Sequence, residues 1–440
     1  MTINQELFAF IAACPTAFHT VEHTADLLEE AGYTRLSEAD CWDLRPGDRC
    51  FVTRNGSSLL AFRIPEEDFS CFMMAAAHTD APTFKLKENA ALCDRRYVRL
   101  SAEKYGGMLC ATWMDRPLGI AGRAVVRTPN GLETRTVDLG HGQDGSFVPC
   151  AVIPSVAIHM NRNANENASY NPATDMVPLA GMASGYGDLR ERIASAADAD
   201  PDDLLTADLY LYNPQRGVEW DGLISAPRLD DLQCAFSCVK AFIDSGEAEE
   251  DRAMPVLCLF DNEEVGSQTR QGAASTFLSD MLMRVAAACG LSRQEYLSRL
   301  ASGFMLSCDN GHAVHPNHPE FADKNLSVEP NGGVVIKYNA SQRYTSDAVT
   351  AALFRLICEE ADVPVQMYAN RADMPGGSTL GNISGTQVSV PTVDIGLAQL
   401  AMHSAYETAG AADTAYLVRA LTAFFGRALT MSGDGCYALI

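Results

Sequence analysis

Apolar runs of strand length that stop abruptly in acids or histidines constrain this chain more than any other feature. The sharpest is "LCLFDNEEVGS", Leu257–Ser267, in which Asp261, Glu263 and Glu264 follow directly on a run suited to a buried strand. "CFMMAAAHTD" ends in His78 and Asp80, and "FMLSCDNGHAVHPNH" ends in Asp309, His312 and His315. "APRLDDLQCAF" sets Asp230 and Asp231 at the start of a helical stretch, and "IGLAQLAMHSAYET" carries His403 beyond another strand. Ligand crevices of open α/β sheets lie outside the carboxyl ends of the strands, so these termini converge on one rim.

Unpaired carboxylates in a low-dielectric cleft cost several kcal/mol each, so cations must share the rim. Few Lys or Arg lie near these segments. Bound divalent metal is the simpler source of positive charge, and the number of candidate ligands suits two ions better than one. Taken singly, each feature has an ordinary explanation, since acidic strand ends are usually solvated loops and a His after an apolar run is usually a hydrogen-bonded core residue. Four or five together point to a metal site.

The flanking sequence organises around the same runs. "MPVLCLF", "GFMLSC", "NGGVVIKY", "VPVQMYA" and "TVDIGL" alternate with helical stretches such as "DAVTAALFRLICEEAD", a pattern that predicts an α/β sheet with helices on both faces. Residues 1–84 read as helix followed by short strands that this sheet can absorb. "LFAFIAACP" has Glu6 before it and no Lys or Arg, so it reads as the start of an amphipathic helix continuing through "TAFHTVEHTADLLEEAGY" and not as an export signal. Between 85 and 213 the texture is β-rich, with a hairpin expected at Asn130-Gly131 and a long polar loop over 162–188. The expected architecture is an α/β domain of residues 1–84 plus 214–440, interrupted by a smaller β-rich domain, 85–213.

A formal net charge of −23 disfavours nucleic acid and anionic membranes as partners. No apolar run approaches the ~18 residues of a membrane span. The 14 cysteines follow no framework spacing, and "CAFSC" at 234–238 reads as helix core, so reduced thiols in a cytoplasmic protein are expected.

At these residues the chain resembles the aspartyl aminopeptidase family of dinuclear zinc exopeptidases. The resemblance runs through "CPTAFHTVEHTADLLEEAGY", "AAAHTDAPTFKLK", "YGGMLCATWMDRPLGIAGRAVV", "IPSVAIHMNR", "APRLDDL", "LFDNEEVGS", "DNGHAVHPNH", "IKYNASQRYTSDA" and "AQLAMHSAYE". It implies a zinc-exopeptidase-like mixed sheet and a metal-dependent removal of N-terminal residues from peptides, with a preference for Asp and Glu. It implies His78 and Asp309 on one metal, Glu264 and His403 on the other, and Asp230 bridging both. Asp80 would orient the His78 imidazole and Glu263 would act as general base. Substrate contacts would come from Lys337, His312 and His159, the last reaching a neighbouring subunit in a tetrahedral dodecamer built from dimers through the β-rich domain. Zinc is the expected metal, and manganese or cobalt can share such ligands.

The chain departs from the family in having Asp231 where Asn is common, and in the form of "ADMPGGSTLG". A broader-specificity aminopeptidase, a dinuclear amidase or carboxypeptidase, and an inactive assembly protein are the competing expectations. Cleavage of a free-amine peptide but not its N-acetylated form separates the enzymes, and chelator-sensitive turnover excludes the last.

Overall fold

The computed structural model describes residues 1–142, 145–166, 168–247 and 252–440. Its centre is a sheet of nine strands in the order Thr34–Leu36, Arg49–Arg54, Ser58–Arg63, Ala253–Phe260, Cys71–His78, Phe304–Cys308, Thr392–Gly396, Val334–Tyr338 and Val365–Ala369. From Ala253–Phe260 to Thr392–Gly396 the neighbours run parallel. Antiparallel pairings flank that block, to Ser58–Arg63 on one side and Val334–Tyr338 on the other. The expected mixed α/β sheet is therefore present, and its parallel middle sends four carboxyl ends to the same rim.

Each central strand is apolar on both faces, as burial under helices requires. Met73, Ala75, Leu257 and Leu259 pack into one core with the helices Leu229–Asp244, Ala348–Glu360 and Asp413–Phe425. Their neighbours Phe72, Met74, Val256 and Cys258 pack into a second core with Phe277–Ala288 and Arg293–Ala301 on the opposite face. Gly396 permits one close approach beside the rim, because a Cβ there would lie 1.8 Å from the Asp309 carbonyl oxygen.

A separate antiparallel sheet takes its strands from Thr83 to Tyr212, in the order Gly131–Asp138, Gly119–Thr128, Leu204–Tyr212, Thr83–Cys93, Tyr97–Tyr105 and Leu179–Met182. It carries its own core around Phe84, Leu100, Ile120 and Leu211. The hairpin at Asn130-Gly131 forms, with Thr128 paired to Gly131.

Two local expectations need correction. The N-terminal helix is two helices, Ile3–Ala13 and Ala17–Glu30. Pro15 in the break has no N–H to continue the ladder and disfavours helical geometry at Cys14. The 162–188 segment is also not loop throughout, since Leu179–Met182 pairs with Tyr97–Arg99 at the sheet edge. No helix among the described residues is long and apolar enough to cross a membrane, and all 14 cysteines are free.

Candidate metal centre

Three of the four strands in the parallel block contribute to one buried cluster. His78 is the last residue of Cys71–His78, Asp309 follows Phe304–Cys308, and Glu263 and Glu264 sit in a short helical turn after Ala253–Phe260. His403 follows the rim strand Ala398–Leu400, and Asp230 enters from the first turn of Leu229–Asp244. That turn is not helical at Asp230 (φ −85°, ψ 107°), and the Asp230–Asp231 peptide is cis.

Asp230 is central. Its Oδ1 lies 3.4 Å from His78 Nε2 and its Oδ2 lies 3.3 Å from His403 Nε2. His403 Nε2 is also 3.5 Å from Glu264 Oε2. Among the described residues, three sets have donor atoms mutually within 4.8 Å: His78, Asp230, Asp231 and Asp309; His78, Glu263 and Glu264; Asp230, Glu264 and His403.

Both imidazoles are oriented from behind. His78 Nδ1 faces the Asp80 carbonyl at 3.1 Å and Asp80 Oδ1 at 3.3 Å, both acceptors, so Nδ1 keeps its proton and Nε2 is the nitrogen that, once deprotonated, can present a lone pair to a cation. The His403 ring is hydrogen-bonded to the backbone of Gly107. Asp80 does more than face a histidine, since its carboxylate accepts from the backbone N–H of Glu263 (3.1 Å) and Glu264 (3.2 Å) and from the Tyr105 hydroxyl (2.7 Å). Arg228, Asn262 and His403, all beside the cluster, adopt left-handed backbone conformations, a concentration of strain common at functional sites.

The electrostatics ask for added positive charge. Burial raises the pKa of Glu263 to about 8, with His78 offsetting part of the shift and Asp309 and Asp80 adding to it. Burial likewise pushes up Asp309, Asp231 and Glu264. Burial disfavours charge on His78 as well, but Asp231 and Asp230 outweigh it and hold the imidazole well above its ordinary value. Asp230 runs the other way, because the His403 and His78 imidazoles beside it overcome its burial and lower it. Asp230 Oδ1, Asp231 Oδ1 and Glu264 Oε1 are buried without a hydrogen-bond partner among the described residues. Orphaned carboxylate oxygens in a cluster that also holds two imidazoles form a donor set suited to divalent cations, and zinc in particular accepts this mixture of N and O.

The remaining sequence candidates lie apart from these sets. Lys337 is buried behind Asp309, where its Nζ donates to the carbonyls of Asp309 (2.6 Å) and Asn310 (3.3 Å) and lies 3.7 Å from Asp309 Oδ2. His312 is exposed at the end of the rim strand Gly311–His312, and the protein around it lowers its pKa against the pull of Asp230. His159 is exposed in a turn flanked by exposed Val156, Ile158 and Met160. Asp261, third of the opening carboxylates, turns inward to accept from the Asn262 N–H at 2.7 Å. Glu407 was not anticipated. Its carboxylate accepts from the N–H of both His403 (2.7 Å) and Asp230 (3.0 Å), and nothing local in "HSAYE" marks it.

Comparison with known proteins agrees with this geometry. The model of the aminopeptidase I zinc metalloprotease (M18) family matches residues 10–425. The probable M18 family aminopeptidase 2 of Clostridium acetobutylicum is 38% identical over 433 residues, spanning 96% of this chain and 98% of that protein. Its Pseudomonas aeruginosa counterpart is 39% identical over 435 residues with the same coverage. Among solved structures, the Ape4 and Nbr1 complex superposes with a TM-score of 0.90 at 32% identity, covering 96% of this chain and 85% of that one. The S. cerevisiae mApe1 dodecamer gives 0.83 at 28% identity and covers 96% of each chain. With a buried His and carboxylate cluster built for a divalent cation and a match along nearly its whole length, the chain belongs to the aminopeptidase I zinc metalloprotease family, M18.

Proposed function

We propose that this zinc aminopeptidase works with two divalent ions and prefers peptides with acidic N-terminal residues. One observation carries the two-ion reading, namely that Asp230 offers one carboxylate oxygen toward His78 and the other toward His403. His78 and Asp309 would hold one ion, Glu264 and His403 the other, with Asp230 shared. When bound, such ions polarise the scissile carbonyl and make water a better nucleophile.

The protein groups supply the rest. Glu263 takes a proton from the attacking water on a carboxylate oxygen and returns it to the leaving amine. Asp80 keeps Glu263 and Glu264 in register through their backbone N–H groups and holds the His78 tautomer. Lys337 Nζ lies 3.7 Å from Asp309 Oδ2, and it supplies positive charge for an acidic N-terminal side chain in a protein of charge −23. A broader specificity is the second reading, favoured because the Lys337 ammonium already donates to two carbonyls.

We further assign residues 1–84 and 214–440 to catalysis and 85–213 to contacts between copies. The solved S. cerevisiae mApe1 is a dodecamer, and the exposed apolar residues around His159 suit burial in a homo-oligomer of that kind. His312 and His159 would line the substrate entrance, His159 from a neighbouring copy. Fourteen free thiols fit a reducing cytoplasm. Metal analysis combined with aminoacyl substrates tests the whole reading. Two ions per chain are expected, with cleavage of Asp and Glu substrates above Leu and none of N-acetylated peptides. One ion per chain, or equal rates on N-acetylated peptides, would overturn it.

A further inference from the structure

We propose that Glu407 is a positioning residue that sets the spacing between Asp230 and His403 by accepting the backbone N–H of both. The proposal rests on the assignment of those two residues as metal ligands. Glu407 is 1% exposed and begins the strand Glu407–Gly410, paired with Ala226 of Leu223–Ala226, the strand that leads into Asp230. Its Oε1 lies 2.7 Å from His403 N and its Oε2 lies 3.0 Å from Asp230 N.

Neither N–H belongs to a helix or sheet ladder. Asp230 breaks helical geometry, and His403 has φ +64°, a conformation that a non-glycine residue keeps only when its surroundings enforce it. His403 is otherwise tied through its carbonyl, which accepts from Leu109 N at 3.0 Å. The arrangement repeats the action of Asp80 on the other side of the site, where one carboxylate spans the N–H groups of Glu263 and Glu264. Burying a further carboxylate beside Asp230 is costly, so packing alone does not account for it. The task needs two acceptors. A glutamine amide has one, and its NH2 would oppose whichever backbone N–H it met.

The test uses the full chain stripped of metal and titrated with Zn2+ alone or Co2+ alone, following heat and the visible Co2+ spectrum. Glu407→Gln should weaken the binding of the ion held by Glu264 and His403 by roughly 10–100-fold, the effect usual for lost outer contacts to a ligand, and should change its spectrum more than that of the ion sharing Asp230 alone. On reloading with zinc, kcat should fall more than KM rises. Glu407→Asp keeps the charge but shortens the reach, so it should show the same weakening; it also serves if the glutamine variant does not fold. Normal binding by Glu407→Asp would overturn positioning in favour of charge alone. Normal binding by Glu407→Gln, with a step lost in His403→Ala, would overturn the role of Glu407 and leave the ligand assignment standing. Two normal steps in His403→Ala would overturn the ligand assignment and the proposal with it.

Discussion

Glu263→Gln should separate the stability of the site from its chemistry, with effects of opposite sign. In the metal-free protein Glu263 is a liability, because burial, with Asp309 and Asp80 adding like charge, raises its pKa from 4.5 to about 8 while His78 relieves only part. An acid whose pKa is raised on folding binds its proton more tightly in the folded state. Between pH 4.5 and 8, then, stability falls as pH rises. The interval sets a ceiling of roughly 5 kcal/mol at about 1.4 kcal/mol per pH unit. Proton sharing among the neighbouring carboxylates and partial exposure of the side chain bring the expected gain to about 1–3 kcal/mol. Glutamine escapes the penalty. Chelator-treated Glu263→Gln should therefore match wild type below pH 4.5 and exceed it by that amount at pH 8, measured by denaturant unfolding at both values. With zinc restored, it should bind as much metal as wild type yet turn over at least ~100-fold more slowly, since the amide accepts no proton. A pH-independent stability difference would refute the electrostatic argument, and loss of a zinc ion would place Glu263 among the ligands.

Three further outcomes are expected. Lys337→Met should cut kcat/KM on Asp and Glu substrates by roughly 10–100-fold and spare Leu substrates, as loss of one charge-assisted contact predicts; an equal loss on both would make Lys337 a support for Asp309 only. Chelation should lower the melting temperature, because free zinc at a hundredfold over its Kd stabilises by about 2.7 kcal/mol per site; an unchanged melting curve would contradict the significance of the orphaned oxygens on Asp230, Asp231 and Glu264. A variant locked as a dimer should fold yet lose most activity, and His159→Phe should be impaired in the intact assembly; a fully active isolated dimer would remove His159 from the site.

Much of this was legible because its signals are local. A buried parallel strand must be apolar on both faces, so "MPVLCLF" and "FMLSC" announce themselves, and whatever follows such a strand stands at the rim. His78, Asp309 and Glu264 were found by that rule. Sheet order carries no comparable local mark. The insertion of Ala253–Phe260 between Ser58–Arg63 and Cys71–His78, nearly two hundred residues earlier, depends on long-range packing that no single segment encodes. The helix break at Pro15 was local and readable; amphipathic periodicity on both sides of it masked the signal.

Carboxylates at the rim proved harder to sort than to find. Asp261 and Glu264 stand three residues apart in one motif, yet one turns inward to a backbone N–H and the other joins donors close enough together to hold a cation. Glu407 and Asp80 clamp backbone, and only distance in space distinguishes them from ligands. Asp231 shows how narrow the distinction becomes. Its Oδ2 accepts from His78 N at 3.1 Å, a bond that the oxygen of the more common Asn could make equally well. The substitution therefore preserves the contact that fixes the strand end, and its effect falls on the other oxygen, Oδ1, which is buried without a hydrogen-bond partner among the described residues. Asp231 stands in one donor set with His78, Asp230 and Asp309, where an amide would keep its hydrogens under all conditions; the carboxyl of this chain, which burial pushes toward its neutral form, can give up its proton when a cation arrives and then offers another acceptor.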